Sequence, residues 1–301
     1  MSTFPAQPPA GTAPVAVVTD STTYLPTELI ERWGIERVSL YVGWGGEHRP
    51  EQEYDLDEFY ARLRDSEELP STSQPSVGDF LTRYEPLAAA GRDVVSIHIA
   101  SGLSGTCESA REAARVIAEK NLAGRVEVVD GQTGAGGLGC LVLAAAEDAH
   151  RGRTLEEVVA TVARTRAGLD MWFCLDTLEY LRRGGRIGAA QALVGSALRI
   201  KPILTFGTEI APVGRVRTKK RALERMVSYL HELRQREASG WFVQHAQSPG
   251  DAQTLVAEGE AIFGTEPLFC TQVGPVLGAH LGSGMLVGGI GCTPAANAEA
   301  A

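Results

Sequence analysis

The first half of the chain alternates short apolar runs with helix-length segments, and this alternation restricts the folds that it can adopt. The apolar runs lie at residues 15–19, 35–42, 94–100 and 126–130, and each leads through polar or glycine-rich residues towards a segment with helical patterning. Strands that alternate with helices in this way are typical of a parallel sheet covered by helices. We therefore predict an α/β domain over residues 15–168.

A different pattern begins near residue 169, where the predicted strands follow one another with shorter connections. This pattern predicts a second, α+β domain over residues 169–292, with a mixed or antiparallel sheet. Within it we expect a helix at 189–199 and a glycine-rich loop at 273–284. Residues 1–14 are expected to form a disordered tail and residues 293–301 a loose one.

The net charge limits the classes of partner. The 301 residues carry a formal net charge of −9, and the isoelectric point is near 5.3. Such an acidic chain is poorly suited to nucleic acid or an anionic membrane as a general partner. No apolar run approaches the ~20 residues that a membrane-spanning helix needs, so stable membrane insertion is not expected.

The cysteines stand singly along the chain, without CxxC spacing. This usage predicts reduced, buried thiols rather than a disulfide framework or a metal site, and therefore a cytoplasmic protein. The five are Cys107, Cys140, Cys174, Cys270 and Cys292.

Small hydroxyl residues concentrate where a parallel sheet binds ligands. Such ligands gather at the carboxyl ends of the strands, and polar loops begin there or close by at Asp20, Thr72, Ser101 and Asp130. The sequence SGLSGT, residues 101–106, opens a helix, and a helix N-terminus with free backbone N–H groups favours an anion. Simple helix capping within a flexible turn is the alternative explanation.

Familiar catalytic motifs are missing or mismatched. GAGGLG at 134–139 fits GxGxxG, but three residues separate it from the preceding strand and no acid follows at the required distance. GxSxG and HExxH patterns do not occur. His98 lies within an apolar strand and is expected to be a hydrogen-bonded core residue. His280 is surrounded by glycines, where an imidazole can meet an anion or donate a hydrogen bond.

The basic run GRVRTKKR, residues 214–221, contains no aromatic residue. It is therefore a weak candidate for a nucleic-acid surface. A solvated helix start, or a docking face for an acidic or phosphate-bearing partner, is the better interpretation.

Several segments, taken together and in this order, resemble the DegV family, the fatty-acid-binding proteins that serve bacterial fatty acid kinase. Each segment alone is a weak signal, but their order is specific, and the resemblance spans roughly residues 15–292. The segments are VVTDSTTYLP, STSQPS, SGLSGTCESA, LEYLRRGGRIG with LRIKPIL, VRTKKRA and GPVLGAHLGSG.

The resemblance implies two domains with a long-chain fatty acid buried between them. It assigns the fatty acid carboxylate to Thr72, Ser104 and His280, with Ser101 and Arg186 as neighbours. The protein would present this carboxylate to a separate ATP-binding kinase subunit, which forms an acyl phosphate, and would then carry the product.

The same resemblance makes Arg217 in the basic run a docking residue for the kinase or the phosphate. It implies a monomeric carrier without a cofactor, a bound metal or a catalytic residue of its own. The rival hypothesis is a stand-alone α/β enzyme that acts on a small carboxylated or phosphorylated substrate, with His280 as its acid–base residue.

Three positions depart from the family pattern. Gly131 stands where a serine is expected after the aspartate, so the polar contact of that loop is in question. Ala279 replaces a threonine and Ser283 a proline, which predicts a looser carboxylate end.

Overall fold

The computed structural model describes residues 13–194 and 200–291. Residues 1–12 of the expected N-terminal tail, the whole expected C-terminal tail and residues 195–199 of the expected helix therefore lie outside the described residues. The chain divides into two compact units. In the described residues the N-terminal unit contains 13–55 and 70–166, and the C-terminal unit contains 56–69 and 167–291.

The described residues form thirteen strands and ten α-helices. The strands are β1 (Val15–Asp20), β2 (Glu36–Val38), β3 (Tyr41–Trp44), β4 (Glu47–Pro50), β5 (Ser71–Ser73), β6 (Asp93–His98), β7 (Val126–Asp130), β8 (Asp170–Leu175), β9 (Lys201–Phe206), β10 (Ile210–Val216), β11 (Gly240–Ala246), β12 (Cys270–Gln272) and β13 (Gly284–Ile290). The helices are α1 (Thr27–Trp33), α2 (Leu56–Asp65), α3 (Val77–Ala89), α4 (Thr106–Glu119), α5 (Ala135–His150), α6 (Leu155–Ala167), α7 (Glu179–Arg183), α8 (Lys219–Gln235), α9 (Pro249–Phe263) and α10 (Pro275–Leu281).

The N-terminal unit is built on a four-stranded parallel sheet in the order β2-β1-β6-β7. All six residues of β1 are buried, as expected for a parallel strand covered on both faces. On one face, α3 and α4 supply a core that includes Phe80, Tyr84 and Ile117. The apolar helix α5 packs on β1 and β6. A small antiparallel sheet, β4-β3-β5, completes the unit.

The C-terminal unit is built on a six-stranded mixed sheet in the order β10-β9-β8-β13-β11-β12. Only the pairing of β11 with β12 is parallel among these neighbours. Helices α8 and α9 cover one face, where the Trp172 and Tyr229 rings stack with their centroids 4.0 Å apart. The predicted fold class, a parallel α/β unit followed by a unit with a mixed sheet, is confirmed.

The prediction of a single strand over residues 35–42 is wrong. The chain forms two strands here, β2 and β3, which belong to different sheets. The reason lies at the corner between them, where the Leu40 N–H donates to the Ser21 hydroxyl and the Leu40 carbonyl accepts from the Glu51 N–H. These bonds take the backbone groups that a continuous strand would have offered to a neighbour.

Residues 43–54, whose glycine-rich sequence GWGGEHRPEQEY predicts a loop, contain a β-hairpin. Gly45 and Gly46 connect β3 to β4 with φ values of 60° and 85°. Two successive residues with positive φ are the signature of a tight hairpin turn whose twist matches the flanking strands.

Two expectations in the C-terminal unit are also wrong. The glycine-rich segment 273–284 contains helix α10, which begins at Pro275 after the extended Gly274. Gly278 is in this helix because its Cα faces the Tyr60 ring, where a β-carbon would lie 2.5 Å from the Tyr60 hydroxyl oxygen. At the helix expected over 189–199, the described part is a short 3₁₀ helix, Gly188–Leu193.

Candidate functional site

The carboxyl ends of β1 and β6 are joined by buried polar side chains. Asp20, at the end of β1, accepts from the Ile99 N–H at 2.9 Å and contacts His98 Nδ1 at 3.2 Å through one carboxylate oxygen. Its other oxygen accepts from the Thr22 N–H and hydroxyl at 3.0 and 2.6 Å. Asp20 and His98 are both fully buried. This confirms that His98 is a hydrogen-bonded core residue.

The chain of hydrogen bonds continues behind His98. Its Nε2 atom lies 2.7 Å from the Ser96 hydroxyl, which accepts from the Tyr84 hydroxyl at 2.7 Å. Asp20 can only accept, so Nδ1 carries the hydrogen, and Ser96 donates to Nε2. Ser96, His98 and Asp20 therefore have the connectivity of a Ser-His-Asp triad. None of the three is exposed, so no substrate reaches the hydroxyl, and the residues instead hold the strand ends in position.

Ser104 lies just before helix α4. Its hydroxyl accepts from the Thr106 N–H at 3.3 Å and lies 2.8 Å from the Thr106 hydroxyl, which is fully buried. When Thr106 donates to Ser104, the Ser104 hydrogen is available for another acceptor. The half-buried Ser104 can thus donate to an anion at the start of α4.

Thr72 lies in β5, opposite Val42 of β3, and is half-buried. The segment that follows it contacts the start of α4. A β-carbon on Gly105 would lie 2.6 Å from the Gln74 side-chain nitrogen. The STSQPS and SGLSGT segments are therefore neighbours within the N-terminal unit, as the proposed head-group site requires.

Ser101 has a partner that the sequence did not suggest. Its hydroxyl donates to Asp130, at the end of β7, at 2.5 Å, and its N–H lies 3.3 Å from the same carboxylate. Asp130 also accepts from the Gln132 N–H at 2.9 Å. The Ser101 hydrogen is thus committed to a neighbouring carboxylate rather than pointing to a ligand.

The loop after β7 explains Gly131 and contributes a residue that the sequence analysis missed. A β-carbon at Gly131 would lie 2.7 Å from the His98 carbonyl oxygen, so a serine does not fit this backbone. Thr133 is 2% exposed, and its hydroxyl has no partner within the described chain. Its carbonyl accepts from the Ala100 N–H, while the Ala100 carbonyl accepts from the Ser104 N–H. In the sequence, Thr133 stands directly before Gly134 and the start of α5, and this position could have identified it as a candidate site residue.

In the C-terminal unit, His280 and Arg186 both lie beside Gly184. Arg186 donates to the Gly184 carbonyl at 2.8 Å, and a β-carbon on Gly184 would lie 2.3 Å from His280 Nδ1. Burial, and secondarily the positive charge of Arg186, lowers the pKa of His280 from 6.5 to about 4. The neutral imidazole can donate a hydrogen bond to a carboxylate without adding a second positive charge to that of Arg186.

An apolar pocket lies within the same unit, and its lining includes Leu281 and Gly282, which follow His280 in the chain. The space in it, about 230 Å³, is partly open to solvent. Its apolar wall is made by Phe173, Leu175, Ala246, Val273 and Leu281, and it is completed by Gly282, Gly284 and His245.

The other two departures from the family pattern are accommodated. Ala279 is 2% exposed on α10, so its side chain faces the interior of the fold. The Ser283 carbonyl accepts from the Asp176 N–H at 3.1 Å. Both positions thus have a structural role, independent of any ligand.

The basic run is exposed at the start of α8. Thr218 caps this helix by accepting from the Arg221 N–H at 3.2 Å. Lys219 pairs with Asp251 at 2.7 Å, whereas Arg217 and Lys220 pair with no described carboxylate. Cations at a helix N-terminus oppose the helix dipole, so their role here is not to stabilise the helix.

Burial raises the pKa of all four described thiols, which reduces their reactivity as nucleophiles. Burial raises the pKa of Cys107 and of Cys174 to about 12, and Cys140 is also buried with a raised pKa. The prediction of buried cysteines is wrong for Cys270, which is exposed. Cys292 lies outside the described residues. In the described chain, no cluster of three or more His, Cys, Asp or Glu residues could hold a metal.

The segments that resemble the DegV family all lie within a match to the model of that family. The DegV family model covers residues 14–291. The chain belongs to the DegV family. Protein DegV of Bacillus subtilis is 35% identical over 280 residues, which cover 90% of this chain and 97% of that protein. A DegV domain-containing protein of Streptomyces coelicolor is 39% identical over 279 residues, with 90% and 96% coverage.

Solved DegV structures share the fold. A fatty-acid-binding DegV family protein from Thermus thermophilus is 33% identical with a TM-score of 0.81. DegV of Bacillus subtilis, described as a fatty acid binding protein, is also 33% identical, with a TM-score of 0.82. Each comparison covers 92% of this chain and 99% of the other. None of the helices described in this DegV chain is both long and apolar enough to cross a bilayer.

Proposed function

We propose that this chain binds a long-chain fatty acid and presents its carboxylate to a separate ATP-dependent kinase subunit, which converts it to an acyl phosphate. The observation that carries the proposal is the neutral His280 beside Arg186, together with an apolar pocket whose lining includes the next residue, Leu281. A site for a fatty acid needs both features, one for the head group and one for the chain.

The energetics favour a ligand of this class. Burying a sixteen-carbon chain contributes roughly 12 kcal/mol at about 0.8 kcal/mol per CH₂ group. Association and ordering costs offset part of this gain. The head group then needs only a few hydrogen bonds for orientation, which hydroxyls and a neutral imidazole provide.

Thr72 and Ser104 in the N-terminal unit, and His280 with Arg186 in the C-terminal unit, are the proposed carboxylate contacts. Ser101 takes a supporting role, because its hydroxyl is bonded to Asp130. Thr133 is an additional candidate, because its buried hydroxyl lacks a partner in the described residues. Its backbone carbonyl accepts from the Ala100 N–H, and the Ala100 carbonyl accepts from the Ser104 N–H.

The kinase partner is proposed from the exposed cations around Arg217. An exposed cationic surface on an acidic protein suits an acidic or phosphate-bearing partner. The proposal describes a cytoplasmic, monomeric carrier that uses no cofactor of its own.

Native mass spectrometry of the purified protein is the first test, and a co-purified acyl chain is the expected result. Delipidated protein should then bind palmitate or stearate in solution. If the delipidated protein binds neither fatty acid, the proposed carrier function is refuted.

A second experiment tests the head-group residues. With the double variant Thr72→Ala, Ser104→Ala, the family's kinase subunit and ATP should no longer convert the bound fatty acid to an acyl phosphate. Circular dichroism should show an intact fold. A matched control is Thr82→Ala, which removes an exposed hydroxyl bonded only to the Asp79 carbonyl. Unchanged phosphorylation of the double variant would overturn the site assignment.

A further inference from the structure

The apolar pocket of the C-terminal unit has one polar side chain in its described wall. Five of its lining residues are aliphatic or aromatic and two are glycines, and the remaining one is His245. This residue lies on β11, where it pairs with Gln272 of β12 and with residue 285 of β13. Its carbonyl accepts from the Val273 N–H at 2.8 Å. The imidazole is therefore carried by a strand that is bonded on both sides.

The hydrogen position on this imidazole follows from its neighbour. The Ser248 backbone N–H donates to His245 Nδ1 at 3.4 Å. A backbone N–H can only donate, so Nδ1 must be the acceptor and the neutral ring carries its hydrogen on Nε2. Burial lowers the pKa of His245, which also favours this neutral form.

The Nε2–H group has no hydrogen-bond partner among the residues that the structure describes, and His245 is only half-buried. A donor in an apolar wall is costly to cover with a hydrocarbon chain, because the N–H group would lose its water without gaining an acceptor. An unsubstituted hydrocarbon chain that covers the Nε2–H group would therefore bind less tightly than a chain with an acceptor there.

We infer that His245 is a specificity-determining residue that selects acyl chains bearing an oxygen acceptor, such as hydroxy or oxo fatty acids, over unsubstituted chains. This inference rests on the proposed function, since it concerns the chain of the same ligand. Nε2–H donates to the ligand oxygen, and the surrounding apolar side chains contact the methylene groups on either side.

The two glycines of the pocket are packed against other residues of the same unit. Gly282 has φ of +66°, and a β-carbon there would lie 2.5 Å from the Tyr180 ring. A β-carbon at Gly284 would lie 2.3 Å from the Cys174 carbonyl oxygen. Protein atoms thus occupy the space that a side chain would take at both positions, and neither position supplies a polar group beside His245.

The test compares stearate with a series of hydroxystearates that differ in the position of the hydroxyl, using delipidated full-length protein and titration calorimetry. We expect at least one isomer to bind about tenfold more tightly than stearate, the effect of one satisfied rather than unsatisfied hydrogen bond. His245→Leu should abolish this preference, and His245→Gln, which keeps a donor, should retain part of it.

Leu281→Met is the matched control, because it alters the same pocket without a donor and should shift both ligands equally. Thermal denaturation of each variant checks the fold. The inference is overturned if stearate binds as tightly as every isomer to the wild-type protein, or if the preference persists in His245→Leu. Failure of the wild-type protein to bind any acyl ligand would instead overturn the proposed function.

Discussion

The imidazole of His280 lies so close to Gly184 that a β-carbon at residue 184 would come within 2.3 Å of Nδ1. The φ angle of Gly184 is −76°, so the backbone itself would accept any residue. Space, and not conformational freedom, requires the glycine. Arg186 bonds to the carbonyl of the same residue, so Gly184 sets the positions of both groups proposed to hold the carboxylate.

Gly184→Ala should therefore displace His280 and weaken fatty acid binding about tenfold or more, with a loss of about 1–3 kcal/mol in stability from overpacking. Gly185→Ala is the control. Gly185 has φ of +69° and open space around it, so its substitution strains the backbone without touching His280. Calorimetric affinities that fall equally in the two variants would contradict the assigned role of Gly184.

The lowered pKa of His280 predicts a pH-dependent stability. Between pH 6.5 and about pH 4 the unfolded chain binds a proton at this residue and the folded chain does not, so stability falls as the pH falls through this range. Its contribution is on the order of 2–3 kcal/mol. Urea denaturation should show a smaller loss over this range in His280→Gln than in the wild-type protein. Parallel curves for the two proteins would refute the lowered pKa.

Ser101 and Ser104 should respond differently to removal of their hydroxyls. Ser104→Ala removes a proposed donor to the ligand, and we expect affinity to fall about fivefold to tenfold with little change in stability. Ser101→Ala breaks the bond to Asp130, so we expect a stability loss of about 1 kcal/mol and a smaller effect on affinity. The comparison uses binding and denaturation data for both variants. A larger affinity loss in Ser101→Ala would reverse the roles assigned to the two serines.

Thr133→Val should stabilise the ligand-free protein by about 1 kcal/mol, because it removes a buried hydroxyl that has no partner among the described residues. The same change should weaken fatty acid binding if the hydroxyl meets the ligand as proposed. Thr133→Ser keeps the hydroxyl and is the control for both measurements. A destabilised ligand-free Thr133→Val protein would indicate that the hydroxyl already has a partner.

Arg217→Glu should reduce kinase-dependent phosphorylation without changing fatty acid affinity. Reversing an exposed charge alters the encounter with an acidic partner, so the effect should shrink as ionic strength rises. Arg115→Glu makes the same net charge change at an exposed position on α4. Equal loss of phosphorylation in both variants would point to net charge rather than a docking site.

Local signals in the sequence were sufficient to predict several elements. Ser76 with Asp79, and Thr154 with Glu157, have the three-residue spacing that predicts a helix start, and each pair forms a capping box, before α3 and α6 respectively. Both motifs act within three residues, so no tertiary context is needed to recognise them. The Gly45–Gly46 turn carried an equally local signal, which was overlooked.

The parts that could not be predicted depend on distant contacts. The partner of His98 is Asp20, 78 residues earlier, and a sequence pattern does not encode this pairing. The sequence of helix α10 resembled a loop because of its glycines, and the requirement for Gly278 within it becomes clear only from the distant Tyr60 ring that packs against it. The surroundings of Thr72 and His280 in the sequence indicated polar or ligand-accessible loops, but their assignment to a fatty acid carboxylate came only from the resemblance to a family.

The path of the chain has a practical consequence for dissecting this protein. Residues 56–69 belong to the C-terminal unit although they interrupt the N-terminal one. Within that unit the Tyr60 hydroxyl donates to the Val273 carbonyl at 2.9 Å, and the Tyr180 hydroxyl lies 3.4 Å from the Leu63 carbonyl. A gene fragment that starts at residue 167 would therefore encode a unit without one of its own helices. Truncated variants must keep both segments, and chimeras between relatives must exchange them together.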